Sequence, residues 1–181
     1  MYEIIREYFY VAFHSFILEE TESILTNVHE QNVSGQLGQY LNAIKDRYGL
    51  GAYYVDPEYD RKQGGFVKTI RINGERIEIR PDLIVHSRGK VKPDNIIVIE
   101  MKKTSTRAAG RRRRENDRER LIAMTSPADG TMVWGADGVT QPEDVCGYEL
   151  GLFIELDLRS RTYLIEEFQS GQSIGELRQR F

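Results

Sequence analysis

Two short stretches put charged side chains where a folded chain rarely tolerates them. Pro81-Asp82 falls inside the segment Arg76 to His86, which otherwise reads as a strand. A proline removes one donor from the ladder, so this strand must bend or bulge beside a carboxylate. Glu100-Met101-Lys102 ends the run Asn95 to Lys102, whose two faces are both largely apolar, as expected of a central strand. Residues two apart in a strand share a face, so Glu100 and Lys102 point together, on the side that Ile96 and Val98 bury. Charges in such a place are expensive unless they are paired or bound to a metal. A short loop joins the two strands, which lets Asp82 lie beside Glu100.

Two neighbouring carboxylates repel, and without a cation one of them takes up a proton more readily. A hard divalent cation removes the conflict, and oxygen donors of this kind suit Mg²⁺ or Mn²⁺. The expected ligands are Asp82 and Glu100, with the Met101 carbonyl between Glu100 and Lys102 as a third donor. Lys102 would stand beside the water that such an ion activates, where it can orient that water, help take its proton or stabilise charge on a phosphate. In outline this is a site that cleaves phosphodiesters, with charge stabilisation supplying much of the rate.

These residues need elements to hold them. Ile5, Tyr8, Phe9, Ala12, Phe13, Phe16 and Ile17, together with Ile4, recur at helical spacing and predict a helix over 2–27. Val33, Leu37, Tyr40, Leu41, Ile44 and Tyr48 predict a second helix over 28–48, stopped by Gly49 and Gly51. Ala52 to Tyr59 reads as a strand. Phe66 to Ile72 and Arg76 to His86 read as a hairpin around Asn73-Gly74. The central strand follows, then a helix over Arg113 to Thr125, a loop over 129–143, and strands at Tyr148 to Leu158 and Thr162 to Phe168. Ser173 is expected to cap a short final helix. The fold class is α/β with a mixed central sheet flanked by helices.

Pro81-Asp82, eighteen residues before Glu100, followed by Glu100-Met101-Lys102, resembles the motif of the PD-(D/E)xK nuclease superfamily of restriction endonucleases, junction resolvases and repair nucleases. The order helix, three strands, helix, strand over 28–158 is similar to that superfamily's core. The resemblance implies a single restriction-endonuclease-like domain over 1–181. It comprises an extra N-terminal helix (1–27), the core (28–158), and a C-terminal strand and helix (159–181). It implies Asp82 and Glu100 as metal carboxylates, Lys102 as the catalytic lysine, and a glutamate from the first core helix, for which Glu30 is the candidate ahead of Glu19, Glu20 and Glu22. Glu58, at the end of the first strand, either reaches the site or sits at an exposed strand end. The implied activity is metal-dependent hydrolysis of nucleic acid, DNA rather than RNA. The alternatives are a non-catalytic binding module of the same fold, or a regulatory or toxin-like subunit of a larger complex.

Composition sets limits on these readings. With 181 residues, 40% hydrophobic, the chain suits one domain that buries roughly 70% of its unfolded surface. One cysteine, Cys146, excludes an internal disulfide or a cysteine-built zinc site. No stretch approaches the length of a membrane helix and no leader is evident, so the expectation is a cytoplasmic protein. The net charge of −3 hides an asymmetry. Lys102 to Arg120 carries nine Lys or Arg against three acids, whereas residues 1–30 hold six Glu and one Arg. Arg107 and Arg111, Arg112, Arg113 and Arg114 are therefore the expected nucleic-acid contacts, starting from the active-site end of the central strand. The aromatic N-terminal helix is the expected surface for a homodimer or a protein partner. His14, His29 and His86 show no ligand spacing. Tyr53, Tyr54 and Tyr59 are expected to pack, as is Trp134 in its glycine-rich loop.

Overall fold

The computed structural model describes residues 1–26, 29–58, 67–104, 111–127 and 146–181. The expectations for Tyr59, Arg107, Trp134 and the 129–143 loop lie outside them. Among the described residues three α-helices, α1 (Tyr2–Leu25), α2 (Glu30–Ile44) and α3 (Arg111–Thr125), accompany eight strands. The strands are β1 (Tyr54–Pro57), β2 (Thr69–Ile72), β3 (Glu75–Glu78), β4 (Leu83–His86), β5 (Asn95–Thr104), β6 (Leu150–Asp157), β7 (Thr162–Gln169) and β8 (Gln172–Arg180). Six strands form one mixed sheet in the order β1-β4-β5-β6-β7-β8, while β2 and β3 form a separate hairpin. The β5–β6 pair is parallel, with α3 in the crossover, and the other pairs of the sheet are antiparallel.

Apolar patterning assigns the layers. β5 and β6 are buried on both faces and lie at the centre of the sheet. On one face α1 and α2 close a core with Leu83, Val85, Ile97, Ile99 and Met101. On the other, Leu121 and Met124 of α3 meet Ile84, Val98, Phe153 and Phe168, with Ile70 and Ile79 of the hairpin region. Close approach fixes two positions. A Cβ at Gly151 would stand 2.7 Å from Cγ2 of Thr125, so α3 seats directly on β6 there. A Cβ at Gly38 would stand 3.1 Å from Leu83, where α2 rests on the sheet.

The aromatic stripe of α1 is spent inside the chain. Tyr8, Phe9, Phe13 and Phe16 are buried against the sheet and α2, and Phe13 meets Tyr163 edge-on at 5.1 Å. Ile4 does not belong to that stripe; with Val11 and Leu18, seven residues apart, it forms an outward apolar line. Among the described residues no helix is long and apolar enough to cross a membrane.

Three sequence expectations are corrected. Arg76 to His86 is not one strand. It divides at Pro81, which has no N–H to give, so β3 stays with the hairpin and β4 joins the main sheet. The expected C-terminal helix is the strand β8. Ser170 and Gly171 both take positive φ, 51° and 78°, making a tight turn whose twist returns the chain antiparallel to β7. Ile96 lies in the core under α1 and α2, opposite to Val98. The cause is a bulge: Val85 pairs with Ile97 and His86 with Asn95, leaving Ile96 as the extra residue.

A polar cluster on Glu167 helps to fasten α1. The Glu167 carboxylate on β7 accepts from Arg6 at 2.8 and 2.9 Å, from Tyr10 at 2.6 Å and from Tyr2 at 3.1 Å. Burial pushes this carboxyl up, but the Arg6 and Tyr10 hydrogen bonds prevail and hold it below the ordinary glutamate range. A depressed carboxylate adds stability above its unfolded pKa, and that stability is lost as pH falls through the folded value. Glu167→Gln is expected to lower stability by about 1–2 kcal/mol at pH 7. The deficit should shrink as pH falls below about 4, in urea melts compared across pH. A deficit independent of pH would contradict the charge-based account.

Candidate active site

The turn between the hairpin and β4 sets Asp82. Its carbonyl accepts from the Glu58 backbone N–H at 3.1 Å, which ties it to the end of β1. Leu83 pairs with Ile99, so Asp82 lies next to Glu100 at the neighbouring register position. The Asp82 carboxylate accepts from the Met101 N–H at 2.7 Å. Glu100, one residue earlier, points to the opposite face from Met101 and is buried.

Lys102 gathers the site. Its ammonium donates to the Met101 carbonyl at 2.8 Å and to Glu30 at 3.2 Å, and stands 3.6 Å from Asp82 and 3.4 Å from Asp117. Glu30, at the start of α2, also accepts from the Lys103 N–H at 2.9 Å. α3 supplies the other side. Arg120 donates to Glu100 at 3.0 Å and to Asp117 one turn earlier, so one guanidinium serves two buried carboxylates. The second Asp117 oxygen, Oδ2, receives no hydrogen bond among the described residues, although Lys102 lies within ion-pair distance.

The electrostatics follow from burial. Burial raises the Asp82 carboxyl above its ordinary range, against the opposing pull of Lys102 and the Met101 amide. Burial raises Glu100 to about 8; Arg120 opposes the shift and Asp82 reinforces it. Burial would lower Lys102, but Asp82, Asp117 and Glu30 outweigh it and hold the ammonium above its usual value. Glu30, Asp82, Glu100 and Asp117 are four carboxylates against the two cations Lys102 and Arg120, an excess of two negative charges when all are ionised. The network opens into a cleft of about 730 Å³ between the end of β5 and α3, with Lys103, Arg113 and Asn116 on its rim. The interior is acidic and the rim basic.

The expected residues divide as follows. Asp82, Glu100, Lys102 and Glu30 come together, and Asp117 joins them as a partner of Lys102. Glu58 stays at the strand end, where its carboxylate accepts from Gln31 at 2.5 Å and steadies the start of α2. Glu19 and Glu20 lie elsewhere, on Tyr40. Arg111, Arg112 and Arg113 are exposed, whereas Arg114 turns inward to Glu155 at 2.7 Å and to Thr104 at 2.9 Å. Arg120 was missed by sequence reasoning. The pattern that points to it is its i,i+3 spacing from Asp117 on a helix that follows a buried glutamate.

A divalent cation suits the donor chemistry, since Asp82, Glu100 and the Met101 carbonyl are hard oxygens and the network is short of positive charge. The side chains as they stand are closed on themselves. Among the described residues no three Asp, Glu, His or Cys side chains are grouped to hold a metal ion. Lys102 and Arg120 occupy the space between the carboxylates. Comparison with family models, curated proteins and solved structures finds no match to this chain.

In chelator, Lys102→Met leaves Asp82, Asp117 and Glu30 without their shared cation and is expected to destabilise the fold by about 3 kcal/mol or more. Burial favours the protonated form of Glu100, which costs stability above its unfolded pKa, so Glu100→Gln is expected to raise the melting temperature near pH 7. Thermal melts of both variants check this. A neutral Lys102→Met would show that the ammonium does not hold the network together.

Proposed function

We propose that the chain is a metal-dependent nuclease with a restriction-endonuclease-like core, hydrolysing phosphodiester bonds in DNA. The observation that carries this reading is four carboxylates gathered around two cations in one network, open to a cleft whose rim is basic. A divalent cation compensates the interior, and a phosphodiester compensates the rim. Asp82, Glu100 and the Met101 carbonyl are the residues that would hold Mg²⁺ or Mn²⁺. When bound, the ion supplies Lewis-acid activation of water and neutralises charge on the phosphoryl group. Lys102 offers its ammonium to the charge that develops on phosphate oxygens, and Glu30 and Asp117 hold that ammonium in place. Arg120 balances Glu100 and Asp117 while no ion is present.

One observation favours a second reading. Lys102 and Arg120 already pair the carboxylates, as in a polar core that serves only to hold the fold, which suits a binding module or a regulatory subunit. Metal linkage separates the two. A nuclease site should be stabilised by Mg²⁺ or Mn²⁺, by about 2.7 kcal/mol at a hundredfold excess over the dissociation constant. The shift should vanish in Glu100→Ala, and Asp82→Ala and Glu100→Ala should lose cleavage of plasmid and linear DNA. No shift and no cleavage with either metal would favour the binding module. A contact with a second copy or a partner through α1 would use Ile4, Val11 and Leu18, since the aromatics are buried.

The basic segment divides into two roles. Arg111, Arg112 and Arg113, exposed at the start of α3, would neutralise phosphates without reading sequence. Replacing all three with Ser is expected to weaken duplex binding to all sequences alike. It should also flatten the plot of log affinity against log salt by roughly 0.9 per lost phosphate contact. Arg114→Ser instead removes the partner of Glu155 and is expected to lower thermal stability first. A salt titration in chelator, paired with melts, tests both. An unchanged slope in the triple variant would return these arginines to a solvated role.

A further inference from the structure

A second concavity, of about 830 Å³, runs between α2 and the edge strand β1. It begins at Gln31, the neighbour of Glu30, and reaches Lys45 and Tyr54. Asn32, Gly35, Gln39 and Asn42 follow at three- and four-residue spacing, so one face of α2 presents carboxamides to it. Asn32, Gln39 and Asn42 are exposed, and the space beside Gly35 is open, with no atom within 4 Å of a Cβ built there. The exposed side chains Asn32, Gln39 and Asn42 are uncharged amides. They offer both donors and acceptors, which suits sugars and base edges more than a protein core.

The far end is charged. The Tyr54 ring lies 4.2 Å from the Arg88 guanidinium, 4.7 Å from the Lys90 ammonium and 5.8 Å from that of Lys45. Lys90 also donates to the Tyr54 hydroxyl, and Lys45 to the Tyr53 carbonyl at 2.8 Å. The Asp56 carboxylate pairs with Arg88 at 2.7 Å and with His86 at 2.8 Å. Burial lowers the His86 pKa, so this imidazole adds no charge near neutrality. The ring thus gathers like charges that repel one another, and an anion laid across them relieves the repulsion.

We propose that the groove between α2 and β1 carries a single nucleic-acid strand away from the acidic cleft, and that the Lys45, Arg88 and Lys90 cluster on Tyr54 binds its phosphates. The proposal rests on the nuclease reading and extends it to a path for the substrate. From Glu30 to Lys45 the helix spans about 22 Å. That length takes a strand of about four nucleotides, at the short end of single-strand binding sites. Tyr54 organises the cations, and the carboxamides meet sugars and bases without demanding a sequence.

The test is fluorescence anisotropy of a labelled single-stranded oligonucleotide across a salt series, in chelator. It compares wild type, Lys45→Ser/Lys90→Ser, the conservative Lys45→Arg/Lys90→Arg, and the Arg111–Arg113 serine variant as a control. Arg88 is left in place because it holds Asp56. The serine pair is expected to bind about tenfold more weakly and to flatten the salt slope by about 1.4, at roughly 0.7 per single-strand phosphate contact. The arginine pair should retain wild-type affinity, which separates lost charge from lost fold. Wild-type affinity in the serine pair, with the oligonucleotide still bound, overturns the groove while the nuclease reading stands. Loss confined to duplex binding also overturns it. A wild type that binds no nucleic acid removes both the groove and the reading beneath it.

Discussion

The Lys102 ammonium is the point on which this structure turns. It stands among Asp82, Glu30 and Asp117, and each comes from a different part of the chain. Buried carboxylates of that number would not remain together without a cation between them, and the energy of one broken buried pair exceeds most single packing contacts. The requirement extends outward. β5 must present Glu100 and Lys102, α2 must begin at the right height to offer Glu30, and α3 must seat low enough for Arg120 to reach Glu100. Gly151 and Gly38 are the places where the backbone yields to allow those approaches.

The network is unsettled in both hydrogen bonding and charge. Asp117 Oδ2 receives no hydrogen bond among the described residues, and two carboxyls are pushed toward protonation by burial. A core built only for stability would more simply use apolar side chains of similar volume. Retaining four acids and two bases beneath an open cleft makes sense when something outside the chain completes the balance. Both candidate surfaces, the rim of that cleft and the far end of the α2–β1 groove, are rich in cations, so the acidic interior is flanked by places that favour phosphates.

Much of this was legible in the residues, for identifiable reasons. The apolar run before Glu100 marks a central strand, and strand periodicity then sets Glu100 and Lys102 on one face. Pro81 announces a break, although the pattern of Arg76 to His86 conceals that the break moves β4 to another sheet. Glu30 stood close to its role because it starts a helix. What could not be read depends on tertiary fit. Arg114 and Arg113 look alike in sequence, and the position of β6 decides that one turns inward to Glu155. Arg120 gains its place only once Asp117 and Glu100 are neighbours. The tail was misread because Ser173 suggests a cap as readily as a strand, and the turn at Ser170-Gly171 decides between them.

The parallel pairing of β5 with β6 has a consequence for the order in which this chain takes shape. Every side chain of the carboxylate network lies between residues 30 and 120, before β6 begins at Leu150. Yet β5 becomes a central strand only when β6 docks beside it, and α3 seats on β6 at Gly151. A parallel partner arrives through a long crossover, so its loop-closure entropy must be met before its contacts form. During synthesis the acids and bases of the site therefore leave the ribosome well ahead of the strand that encloses them. The centre can be enclosed only after β6 has followed them, once the crossover through α3 is complete.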